Sequence, residues 1–93
     1  MEQLTQLERL TKVKTALGFG GNFQDEALEI YIDEVLQVLI DGGVREEVAL
    51  SNASIGAIVL GVNDLYNYSS GEVKYSDAFV KRLIQLSKKK MRD

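Results

Sequence analysis

The chain has 93 residues, enough for one domain with one core, and it contains no Cys, no His and no Pro. Without His or Cys the usual general bases, nucleophiles and transition-metal ligands are missing, so the sequence predicts a protein that is not an enzyme and takes no metal or cofactor. The absence of Cys also excludes disulfides, and the apolar core must hold the fold alone. The net charge of −3 is divided unevenly: residues 1–18 carry +1, residues 19–77 carry −9 and residues 78–93 carry +5, an acidic body followed by a basic end.

The opening residues MEQLTQLERL are amphipathic and charged, which predicts no signal peptide and a cytoplasmic protein. A first helix is predicted over residues 2–17, with Leu4, Leu7, Leu10, Val13 and Leu17 on its inner face. Gly18 is the expected stop, because it adopts a positive φ without steric cost, and Lys12 and Lys14 suit the negative end of the helix dipole. The loop that follows contains Gly20-Gly21, but a phosphate-binding loop is not expected. No strand precedes it, no Lys-Ser/Thr follows it, and Asp25 and Glu26 would repel a phosphate.

A second helix is predicted over residues 23–40, capped by Asn22, with Leu28, Tyr31, Ile32, Val35, Leu36 and Leu39 inward. Asp41-Gly42-Gly43 closes it. Asp25, Glu29 and Asp33 recur at four-residue steps, which reads as a solvated acidic face that could meet a basic partner, since the residue types of a calcium loop or a di-metal bundle are not in place. Residues 44–50 form a connection with a short turn of helix in which Val44, Val48 and Leu50 touch the core. Ser51 or Asn52 then caps a central helix over residues 53–68.

That central helix is apolar on nearly every face, with Ile55, Ile58, Val59, Val62, Leu65 and Tyr66 at helical spacing and Ala57 and Leu60 widening the stripe. A helix of this kind is expected in the middle of the domain. Gly56 and Gly61 lower its intrinsic helicity by about 1 kcal/mol each, which predicts close approach of a neighbouring helix as compensation. The run is short for a membrane span and is interrupted by Asn63 and Asp64. Next comes a polar loop carrying Tyr66, Tyr68 and Tyr75, either a binding surface or a cover over the end of the core. The last helix starts at the N-cap Ser76 with Asp77 in its first turn, and Phe79, Val80, Leu83, Ile84 and Leu86 are predicted inward. Residues 1–87 thus form a single helical domain and residues 88–93 a basic C-terminal tail. The predicted fold is all-α, a small bundle of four main helices.

This order of elements, with the second helix reading DEALEIYIDEVLQVLI, the third ending in DLYNY and the last reading SDAFVKRLIQL, resembles the head-tail connector (adaptor, or head-completion) proteins of tailed bacteriophages and prophages. The resemblance spans residues 4–86. It implies a structural virion protein at the neck, assembled in the host cytoplasm, whose copies form a ring that joins the portal protein to a further connector or tail-completion protein and extends the channel for DNA. By the same resemblance Lys81, Arg82, Lys88, Lys89, Lys90 and Arg92 become portal-docking candidates, and Tyr68, Glu72, Lys74 and Tyr75 become ring or tail contacts. The competing expectation is a small DNA-binding or regulatory protein that uses its basic C-terminal segment. Its helix-turn-helix would need a shorter turn than the one before the last helix, and a recognition helix with more polar base-readers.

Overall fold

Two helices of this chain press onto a third at a glycine, and the architecture follows from that contact. The structure, a computed structural model, describes residues 2–67 and 75–89. It is all-α, with α1 at Gln6–Leu17, α2 at Asp25–Asp41, the single-turn α3 at Glu46–Ala49, α4 at Ile55–Tyr66 and α5 at Asp77–Ser87. Helix α4 packs on α1, α2 and α5, so the apolar helix predicted at the centre is the hub. A Cβ placed on Gly61 would lie 2.8 Å from both γ carbons of Val35 on α2 and 2.8 Å from a ring carbon of Phe79 on α5. Gly61 is there because no side chain fits between those neighbours. Gly56, by contrast, is exposed and among the described residues faces the Arg82 guanidinium at 3.8–3.9 Å, so the expected close approach applies to one glycine of the pair.

Helix α1 begins later than its apolar spacing predicts. Thr5 is a capping residue: its hydroxyl accepts from the Glu8 N–H at 3.0 Å, while the Thr5 N–H donates to the Glu8 carboxylate at 2.8 Å. This reciprocal pair satisfies two N-terminal donors and fixes the boundary. Residues before it run extended, with the Leu4 N–H donating to the Leu50 carbonyl at 2.8 Å. The buried face of α1 is then Arg9, Leu10 and Val13, and Leu7, predicted inward, stands 71% exposed. It lies roughly 110° round the helix from that stripe. Arg9 is buried in its place, donating from Nη2 to the Leu4 and Leu50 carbonyls at 2.9 and 3.4 Å. Gly18 ends the helix at φ 77°, as its sequence position predicts.

Helix α2 starts at Asp25 rather than at Phe23, and Asn22 does not cap it. The Asn22 backbone carbonyl accepts from the Asp25 N–H at 3.3 Å, and N-cap Gln24 makes no side-chain cap. What anchors this end is Lys14, whose Nζ lies 2.7 Å from the Asp25 carboxylate and donates to the Gly21 carbonyl. Leu28, Ile32, Val35, Leu36 and Leu39 are buried as predicted, and Tyr31 is half-buried. After Asp41 the chain reverses through Gly43 at φ 100°. Val44, Val48 and Ala49 join the core.

The central helix enters through a 3-10 turn, Asn52–Ser54, and becomes α-helical at Ile55. Ser51 caps that turn by accepting from the Ala53 N–H, and the buried Ser54 hydroxyl donates to the Ala49 and Ser51 carbonyls. These bonds hold the tighter winding where the spacing alone predicts an α-helix from Ala53. At the other end of the hub, the Asp64 carboxylate accepts from the Ser76 N–H at 2.9 Å and positions α5, while Ser76 itself caps α5 by accepting from the Phe79 N–H. Phe79 and Leu86 are buried and Leu83 is half-buried against Gly42. Val80 and Ile84, predicted inward, are 43% and 46% exposed. With one helix face turned to α4, a residue about 100° further round meets no neighbouring helix among the described residues.

Candidate functional site

The basic candidates on α5 and just beyond it divide between two flanks. Lys81, Arg82, Lys88 and Lys89 are all exposed. Lys81 and Lys88, seven residues apart, share the flank that carries Val80 and Ile84. Arg82 lies on the other flank, over the first turn of α4, with its Nη1 donating to Gln85 Oε1 at 3.0 Å. Lys88 is the C-cap and Lys89 follows, its N–H donating to the Leu86 carbonyl at 3.1 Å. Cations at this end of a helix complement the dipole. Lys90 and Arg92 lie outside the described residues.

The aromatic candidates are rearranged. Tyr68, Glu72 and Lys74 lie outside the described residues. Tyr75 is half-buried, its ring stacked on Phe79 with centroids 4.5 Å apart and planes at 25°. Its hydroxyl is buried with no hydrogen-bond partner among the described residues, and burial, followed by the Glu34 and Asp64 carboxylates, pushes the phenol pKa up. Tyr75 therefore covers the end of the core, the second of the two roles the sequence offers for these tyrosines. Sequence reasoning also missed the role of Tyr66. Predicted inward, it is 40% exposed, tilted against Phe19 at 5.2 Å and edge-on to Tyr31 at 6.5 Å. No periodicity signals this cluster, because Phe19 comes from the loop after α1.

The acidic row on α2 is likewise reorganised. Asp25 is occupied by Lys14, and among the described residues no group of His, Cys, Asp or Glu is placed to hold a metal ion. The outward face is centred instead on Ile30, 62% exposed, with Glu26 four residues before it and Asp33 and Glu34 three and four after it, all exposed. Residues at these steps are surface neighbours on a helix.

Between α1 and α2 a shallow cavity of about 100 Å³ is lined by Lys14, Phe19, Gly20, Gly21, Gln24 and Leu28, with Phe23 at its rim. Lys14 points its ammonium at Gly21 and Asp25 rather than at open space, so the Gly-Gly loop offers no free cation to a phosphate. What the surface provides chemically is two exposed, oppositely charged helix faces, each with an apolar centre. Among the described residues no helix is long and apolar enough to cross a membrane. No protein-family model matches the chain, and no curated protein or solved structure matches it either.

Proposed function

We propose that this chain is a structural subunit of a phage or prophage neck, a head-tail connector that assembles into a ring between the portal protein and a further connector or tail-completion protein. The observation that carries the reading is the bundle itself: four main helices in the order the resemblance implies, wrapped on an apolar third one, with an exposed basic last helix and an exposed acidic second helix. Its work is binding. The C-terminal bases, with Arg82 and Lys89 on the flank beside α4, seek an acidic docking surface on the portal, and long-range attraction speeds and orients that encounter. An acidic body repels phosphate, which suits a channel wall that DNA must slide past without sticking.

A pull-down with the portal protein of the same genome tests this. Wild-type protein is expected to bind the portal and to show only weak duplex binding, while Arg82→Gln with Lys89→Gln weakens portal capture and leaves the melting temperature unchanged. The regulatory alternative is favoured instead by tight duplex binding with a steep salt slope. Helix α5 offers little for reading bases, since Val80 and Ile84 occupy its outer face.

A further inference from the structure

The outer faces of α2 and α5 are built alike with opposite charge. On α2, Ile30 is the apolar centre and Glu26, Asp33 and Glu34 surround it; α2 contains no Lys or Arg to neutralise them. On α5, Ile84 and Val80 form the apolar centre and Lys81 and Lys88 flank Ile84 at three and four residues. The five charged side chains of the two patches, Glu26, Asp33, Glu34, Lys81 and Lys88, are all exposed. The ion pair given by the described residues, Lys14 with Asp25, involves neither patch. Both faces point away from the core that α2 and α5 share through Gly61, so each is open to another molecule.

We infer that the occupant of the α5 patch is the α2 patch of a second copy of this chain, Ile84 and Val80 meeting Ile30 while Lys81 and Lys88 meet Asp33, Glu34 and Glu26. The partner choice follows from complementarity: one chain carries both halves, and like faces would repel. Because the two halves differ, the contact is head-to-tail and propagates from copy to copy, closing into a ring when the rotation per step permits. The proposal deepens the connector reading, on which it rests for why copies assemble. It assigns Lys81 and Lys88 to the seam between subunits and leaves Arg82 and Lys89 to the portal. A patch with so few apolar residues makes a small interface, so free protein associates weakly and a platform that gathers copies strengthens the assembly.

The test is a charge swap read by sedimentation velocity and by concentration-dependent amide shifts at low salt. At about 1 mM, where small interfaces are populated, wild-type protein is expected to self-associate with shifts confined to both patches. Lys81→Glu with Lys88→Glu, and separately Asp33→Lys with Glu34→Lys, should each be monomeric with unchanged circular dichroism and melting temperature. Mixing the two variants should restore association. A wild type that stays monomeric at this concentration, or association indifferent to both charge sets, overturns the inference. If both variants still form rings on the portal, the seam assignment falls and the connector reading stands. If the swap behaves as expected but no portal binding is found, the reverse holds.

Discussion

The same substitution at two positions of one helix should have opposite signs. In Gly61→Ala the new methyl would sit 2.8 Å from Val35 and Phe79, well inside the roughly 3.5–4.0 Å of ordinary carbon contact. Val35 is β-branched and fully buried and the Phe79 ring is 1% exposed, so neither can swing aside. Overpacking costs about 1–3 kcal/mol, and two immovable neighbours at 2.8 Å put Gly61 at about 2–3 kcal/mol, against a helix-propensity gain of about 1 kcal/mol, for a net loss of about 1–2 kcal/mol. For a domain of this size that is a fall in melting temperature of roughly 5–15 °C. Gly56→Ala, exposed and with only the Arg82 guanidinium at 3.8–3.9 Å, keeps the propensity gain and should stabilise by about 0.4–1 kcal/mol. Thermal melts followed by circular dichroism give both signs. Val35→Ala should cost less in the Gly61→Ala background than alone, because the two changes share one space. If Gly61→Ala stabilises as Gly56→Ala does, the helices do not approach at Gly61 and the packing argument fails.

Other perturbations address the remaining features. Tyr75→Ala should lower the melting temperature by uncovering Phe79, while Tyr75→Phe, which keeps the stack and removes a buried hydroxyl with no partner among the described residues, should be neutral or stabilising by up to about 1 kcal/mol. Since the folded-state pKa of Tyr75 is raised, its contribution is complete below the ordinary tyrosine value of 10.0 and is lost as pH rises through the folded value; Tyr75→Phe should therefore flatten the alkaline limb of a stability profile. Arg9→Ala should cost about 1–3 kcal/mol and speed hydrogen exchange at the Leu4 amide, because the buried guanidinium ties the Leu4 and Leu50 carbonyls together; an unchanged Leu4 exchange rate would contradict that role. Thr5→Ala should cost about 1 kcal/mol as a lost cap. The Thr5 backbone N–H holds the Glu8 carboxyl below its ordinary 4.5, so Glu8 supports the cap fully above that pH and loses this role as pH falls through the lower folded value, a dependence that an acid titration should show in wild type and not in Glu8→Gln.

The parts of the fold legible in the residues were those set by periodicity and by glycine. The inward face of α2, the stop at Gly18, the cap at Ser76 and the central place of the apolar helix all follow from local spacing and backbone preference. The errors share one cause. Leu7, Val80 and Ile84 match an apolar stripe, yet whether a stripe is covered depends on which neighbouring helices reach it, and spacing within one helix carries no such information. Arg9 shows the converse, a charged residue buried because two carbonyls from distant segments converge on it. For Tyr75 the sequence left a binding surface and a cover over the core both open, and the Asp64 bond to Ser76 holds its ring over Phe79. The basic end and acidic body were legible as charge; their division into flanks, and the apolar centre in each patch, required the helices to be placed.

Whether the protein works by assembling on a portal is decided by negative-stain imaging of the purified portal mixed with this protein. An added ring of density at one end of the portal is expected, lost with the Arg82→Gln and Lys89→Gln variant. Bare portals beside a strictly monomeric protein would contradict it.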